Sequence, residues 1–282
     1  FEEIGGEVVQ TTSFVIRKSH IAAYKGEYCR LIEPTSQQGK EDMFLAGKNR
    51  YSANCTLYEK IPNKTMSYWL SNNIVQNFVK KDNMHINCYT GLICGNNSKY
   101  IRNWFEVNIL DIEFAAQSAQ IAPKKYVPYN HGGTRIRWYG GHNDIVLFQN
   151  NASAIRNEKK SLFRNETSYF KGGITWNRVG NLNPFIARLA AKHFAFDDVS
   201  PTGISGDDFY TLGLFNSKVF NIYLSLYTGG FKVEIGQIGN VPIVKSNQTN
   251  IVNVLVNKCI ISSRVNWDAY ETSWDFKRNP LV

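Results

Sequence analysis

The sequence predicts an α+β fold, mixed and β-rich, with helices packed on the strands. Short apolar or alternating runs, at 28–32, 145–148 and 174–180, are interrupted by Gly, Asn or Pro, as short strands are. Two other stretches carry apolar residues at helical spacing: Val219, Phe220, Tyr223, Leu224 and Tyr227, then 251–262. With 282 residues, 43% of them hydrophobic and 20% charged, the chain can bury a sizeable core and suits one large domain, alone or with appendages.

In order, residues 4–17 alternate through Val8, Phe14 and Ile16 and read as a strand paired with the run 28–32. The segment 33–42 reads as a polar loop, and 40–50 as a short helix followed by a turn. After the Pro62 break, Tyr68, Trp69, Ile74, Val75, Phe78 and Val79 predict a linker helix within 61–86, capped by Asn63 or Thr65. The Gly/Asn-rich region 89–102 leads to an aromatic strand, 103–109. A weak helix is expected over 114–122, a strand over 145–148, a basic helix over 152–164 and a strand from Ile174. Residues 186–196 fit a strand pair or a short helix. The run 209–215 reads as a buried strand, followed by a helix with Asn216 or Ser217 as N-cap and Gly229 and Gly230 at its end. Two strands, 231–235 and 241–244, precede the amphipathic helix 251–262 and a polar, aromatic C-terminal segment.

The net charge is +9, and residues 87–192 hold 14 Lys and Arg against 6 Asp and Glu, a local charge of +8. Such concentration favours a polyanionic partner. No apolar run is long enough for a membrane span. The opening FEEIGGEVVQ lacks the features of a signal peptide and an initiator Met, which reads as an excised, cytoplasmic segment. The five cysteines form no C-x-x-C pair, and the spacing of His85, Cys88 and Cys94 matches no standard zinc site.

No specific catalytic set stands out. Asn183-Pro184-Phe185 lacks the second proline of an amino-methyltransferase motif and reads as a turn, and no F-x-G-x-G cofactor loop occurs. Glu158-x-Lys160 has the local form of a nuclease element but sits in a basic, helix-like run.

One stretch concentrates binding chemistry. YNHGGTRIRWYGG, 129–141, holds Arg135, Arg137, Trp138 and Tyr139 among four glycines. Guanidinium forks suit phosphates and guanine edges, aromatic faces stack on bases, and paired glycines permit close backbone approach to a ligand. The plain structural reading is a hairpin with a glycine turn, its two arginines on one strand face and satisfied by a carboxylate. Lys99, Arg102, Lys171, Thr175, Trp176 and Arg178 complete the candidate DNA-binding set, although a tryptophan on a strand is commonly core.

Several blocks in order resemble PglX-type adenine-specific DNA methyltransferases of BREX phage-defence systems and related Type IIG restriction-modification proteins. FEEIGGEVVQTTSFVIR resembles late strands of the methyltransferase domain, and FLAGKNRYSANCTLYEKIPNKTMSYWLS the segment joining it to the target-recognition domain. GLICGNNSKYIRNWFEV, YNHGGTRIRWYGG, KGGITWNRVG and GLFNSKVFNIYL resemble blocks of that recognition domain, and WDAYETSWDFKRNPL the segment after it. His131 stands where the family commonly has Lys, and Asn96-Asn97 where it often has an acidic residue, so no role is carried over there.

The resemblance implies strands of the methyltransferase domain over 1–60, a DNA target-recognition domain over 87–245 and a helical segment over 246–282. It implies double-stranded DNA as partner, together with the missing methyltransferase domain and other defence-system subunits. S-adenosylmethionine is expected as cofactor of the parent, with none in this chain. A protein-interaction module is the alternative, and a carbohydrate-binding β-module fits the local charge less well.

Overall fold

The computed structural model describes residues 12–19, 21–80, 84–118, 124–133, 135–180, 182–228 and 231–281. It divides into two compact units, 1–80 and 81–282. The expected mixed α+β class is the one observed. Among the described residues, no helix is long and apolar enough to cross a membrane.

In the first unit, β1 (Lys25–Cys29) pairs antiparallel with β2 (Arg50–Asn54). The pairing partner observed for β1 is thus β2. Residues 12–17 of the expected run 4–17 form no strand, and Phe14 and Ile16 are exposed, while the rest of it lies outside the described residues. Helix α1 (Gln37–Leu45) starts inside the expected polar loop because the Ser36 side chain accepts from the Gly39 amide and caps it. The linker helix shortens to α2 (Asn72–Asn77), which buries Val75. The aromatic residues upstream are used differently: Tyr68 stacks on Tyr28 at 4.4 Å, and the Arg30 guanidinium lies 4.1 Å over Trp69.

The second unit is built on two four-stranded sheets. The first orders β3 (Ile86–Tyr89), β10 (Thr202–Ser205), β7 (Gly173–Trp176) and β8 (Ala187–Ala190), all antiparallel. The second orders β4 (Ile101–Asn103), β6 (Asp144–Leu147), β5 (Tyr126–Asn130) and β9 (Ala195–Phe196), with β5 and β9 parallel. The run 186–196 holds two strands, β8 and β9, which lie in different sheets and do not pair with each other. The aromatic strand expected at 103–109 ends at Asn103, where a capping box with Glu106 opens a short 3-10 turn. Helix α3 (Asn97–Tyr100) precedes β4. Helix α4 (Gln149–Arg156) is shorter than the basic helix expected over 152–164. Residues 114–118 are turn and bend rather than helix, and 119–123 lie outside the described residues.

The run 209–215 is helix α5 (Asp208–Phe215), not a strand. A short apolar run does not by itself separate buried strand from buried helix. Here Asp207 decides: its carboxylate accepts from the Tyr210 amide at 3.0 Å and from Asn253 at 2.9 Å. Gly213 then lets the long helix α8 (Thr249–Trp267) approach, since a Cβ there would lie 2.7 Å from Val256. Ser217 caps α6 (Lys218–Leu224) as expected, whereas Gly229 and Gly230 lie outside the described residues. The expected strands 231–235 and 241–244 reduce to single bridges, Lys232 with Val179 and Ile243 with Met84, around α7 (Ile235–Gly239).

Two cores result. Leu92, Tyr100, Val127, Tyr129, Val146, Phe148, Tyr169 and Phe196 pack beside the second sheet. Trp176, Phe185, Phe215 and Phe220 form an aromatic cluster between the first sheet and helices α5 and α6, with ring centroids as close as 4.3 Å.

Candidate nucleic-acid interface

β5 and β6 pair from Tyr126 opposite Leu147 to Pro128 opposite Ile145. Residues 131–143 are therefore the connection of a hairpin, but a long loop replaces the tight glycine turn. The loop is not extended as a ladder, so Arg135 and Arg137 do not share a strand face.

Distant elements hold the loop along its length. At its root the buried Asp197 carboxylate meets His131 Nδ1 at 2.5 Å and accepts from the Gly132 amide at 3.3 Å. That hydrogen bond raises the His131 pKa above its ordinary value, against the lowering effect of burial. Further along, Asn177 Nδ2 donates to the Gly133 carbonyl at 3.3 Å. The Arg135 guanidinium donates to the Pro184 carbonyl. Trp138, at φ +73°, joins the β8 edge: its amide donates to Ala187 at 3.1 Å and its carbonyl accepts from Leu189 at 2.8 Å. Trp138 and Tyr139 are half-buried, whereas the Arg135 and Arg137 side chains are exposed. The Arg137 carbonyl accepts from the Tyr139 amide at 3.0 Å, whereas the Arg137 side chain makes no hydrogen bond or ion pair among the described residues.

The paired glycines near the end of the loop serve the fold rather than a ligand. A Cβ at Gly140 would stand 2.9 Å from the Trp267 indole, and one at Gly141 would stand 3.5 Å from the buried Arg188 guanidinium. His142 follows, fully enclosed, its pKa lowered to about 3 by burial and then by the nearby Arg188 and Arg264 charges. Its imidazole is therefore neutral near pH 7.

The other sequence-derived candidates fall in different environments. Thr175 and Trp176 lie on the interior strand β7 and are 0% and 1% exposed. Thr175 Oγ1 bonds Ser200 Oγ at 3.1 Å, and Trp176 fills the aromatic cluster, so neither side chain reaches the surface. Arg178 is held by Glu234 at 2.5 Å and Asp198 at 3.6 Å. Lys99 is exposed but paired with Glu158 at 3.4 Å, and Glu158 also accepts from the Tyr100 hydroxyl at 2.9 Å. Glu158 thus ties α3 to the end of α4. Arg102 donates to the Ser98 carbonyl at 2.6 Å and borders an open cleft of about 420 Å³ with Asn103, Glu106 and Asp144. Lys171 is exposed in the turn before β7. The structure therefore gathers Arg135, Arg137, Trp138 and Tyr139 on one loop and leaves the rest of the set elsewhere.

Sequence reading missed Arg188, His142, Arg264, Trp267 and Trp274, which lie under or beside that loop. The only signal for the last two was an unusual aromatic content in a polar C-terminal segment. Among the described residues no group of three or more His, Cys, Asp or Glu is arranged to hold a metal. Burial pushes the thiols of Cys88 and Cys94 up to about 12.

No family model matches the chain. Two curated relatives match it from end to end. The adenine-specific methyltransferase PglX of Lacticaseibacillus casei (strain Zhang) is 32% identical over 302 residues, covering 100% of this chain and 25% of the relative. The adenine-specific methyltransferase BrxX of Escherichia coli O9:H4 (strain HS) is 30% identical over 294 residues, covering 100% of this chain and 23% of the relative. The chain belongs to the PglX and BrxX family. It spans about a quarter of the length of these relatives. Among the sequence-derived candidates, the loop 131–143 is where two exposed arginines and two half-buried aromatic residues lie together.

Proposed function

We propose that the second unit is the DNA-recognition part of an adenine-specific methyltransferase acting in BREX-type phage defence. The observation that carries this reading is the loop 131–143, which projects two exposed arginines from a backbone held at root, middle and end by the two sheets and α8. An arginine on a fixed backbone gives up less freedom on binding than one on a free loop. Arg135 and Arg137 would engage phosphates or a guanine edge, Trp138 and Tyr139 would support them, and Lys99, Arg102 and Lys171 would add longer-range attraction. In the parent enzyme, S-adenosylmethionine would supply the methyl group for the exocyclic amine of an adenine flipped out of the duplex. This chain's task would be to hold and read DNA, not to transfer the methyl group.

The test is retardation of duplex DNA by the 282-residue chain. Affinity should fall steeply between about 50 and 200 mM salt, as release of counterions requires. Absence of binding at about 50 mM salt, with Arg135→Ala/Arg137→Ala indistinguishable from wild type, would overturn the reading.

One observation favours an additional protein-docking role. Helix α8 packs on α5 through Val252 and Val256, yet Ile251, Val254, Leu255, Ile261 and Val265 line an exposed stripe. The missing methyltransferase domain is the occupant proposed for it. Adding that domain in trans should protect the amides of α8 from exchange, and unchanged exchange would reject this role.

A further inference from the structure

The loop that carries Arg135 and Arg137 is held from two sides, and the two holds differ in kind. The Trp138 bridge to β8 is made by backbone groups. The second hold is made by side chains from 264–275, more than 120 residues later in the sequence. Gly140 lies flat on the Trp267 indole at φ +121°, where a Cβ would be 2.9 Å from Cε3 and 3.1 Å from Cδ2. The Arg264 guanidinium sits 5.5 Å from the Tyr139 ring centre and is oriented from behind by Asp268 at 3.3 Å and Asp275 at 3.4 Å. His142 meets Tyr139 edge-on at 4.8 Å and stacks on Trp274 at 6.1 Å. Trp274 is itself wedged against Phe114 at 5.1 Å and Phe194 at 5.7 Å, and the Trp104 indole donates to the Thr272 carbonyl at 2.8 Å.

We infer that this C-terminal segment is a clamp, and that Trp267 and Arg264 are positioning residues that set where Arg135 and Arg137 stand. The inference rests on the DNA-recognition reading. α8 is anchored on α5 through its earlier turns, at Val252 and Val256, while its last turn reaches the loop. Arg137 lies two residues before Tyr139, whose amide donates to the Arg137 carbonyl at 3.0 Å, so a shift at the clamp reaches Arg137 directly through that bond and through the Trp138 bridge to β8. Trp267 and Arg264 need not touch DNA for this effect.

The experiment compares Trp267→Ala, Trp267→Phe and Gly140→Ala in the 282-residue chain, by DNA-binding anisotropy, amide exchange and thermal melting. Trp267→Ala should weaken binding about tenfold, Trp267→Phe should restore most of it, and Gly140→Ala should act in the same direction by pushing the loop off the indole. Exchange should quicken at 135–139 while β7 and β8 stay protected. In an Arg135→Ala/Arg137→Ala background, Trp267→Ala should cause no further loss. Wild-type affinity in both Trp267→Ala and Gly140→Ala, or an equal further loss in the double-arginine background, would overturn the clamp. If Trp267→Ala does not fold, Gly140→Ala decides the matter by the same readouts. If the wild-type chain itself does not bind DNA, the recognition reading fails separately. Exchange alone then judges the clamp: acceleration confined to 135–139 upholds it, and unchanged exchange there rejects it.

Discussion

Residues 135–139, RIRWY, and 175–178, TWNR, look alike in sequence: each joins tryptophan to arginine beside glycines. The fold treats them in opposite ways. β7 is an interior strand, flanked by β10 and β8, so Thr175 and Trp176 are enclosed and Arg178 beyond them is tied to Glu234 and Asp198. The loop 131–143 packs against β8 and the end of α8, yet the Arg135 and Arg137 side chains remain exposed. Residue type nominates a binding segment, whereas strand position in the sheet decides whether its side chains are available.

The sharpest way to break this contrast is Trp176→Ala. Emptying the aromatic cluster should cost about 3–5 kcal/mol and lower the melting temperature strongly. A variant that lost DNA affinity but kept its stability would place Trp176 at the interface instead.

A second expectation concerns pH and the ground beneath the loop. The unfolded chain takes up a proton on histidine near the ordinary value of 6.5, whereas folded His142 resists protonation to about 3. The unfolded state therefore binds more protons in that window, and stability should fall as pH drops from about 6.5 toward 3. His131 acts with the opposite sign. Its raised value, from the Asp197 hydrogen bond, gives stability that is full below 6.5 and lost as pH rises through the raised value. In pH-dependent melts, His142→Phe should flatten the acid limb and His131→Phe the limb at higher pH.

Arg178→Ala should cost about 1 kcal/mol or less, and less at high salt, because its partner Glu234 is 41% exposed. The smallest effect on stability belongs to Arg135→Ala/Arg137→Ala, within about 0.5 kcal/mol by melting. Yet that pair should give the larger loss of DNA affinity, with the salt slope reduced by about one for each phosphate contact removed. If Arg178→Ala proves the more damaging for DNA binding, the two segments exchange roles.

Much was legible before the structure. Local chemistry showed it: the Ser217 cap, the helical stripe through Phe220 and Tyr223, the strand at Ile145 and the expected α+β class all depend on neighbours close in sequence. Where local signals conflicted, reading failed. The apolar run 209–215 became a helix through the Asp207 cap and the contact of Gly213 with α8, and the alternation at 12–17 led to no paired strand. The glycines at 140 and 141 were recognisable as sites of close approach, but not as a seat for Trp267 and Arg188.

Composition class, the concentration of positive charge between 87 and 192, the family and the arginine- and aromatic-rich stretch 129–141 are all written in the linear sequence. Which arginines stand free of the sheet, and what holds them there, follows from the folded arrangement alone. The physical reason is distance along the chain. Burial and clamping are made by partners such as Trp138 with 187–189, about 50 residues on, and Gly140 with Trp267, more than 120 residues on, and no local pattern encodes neighbours at such distances.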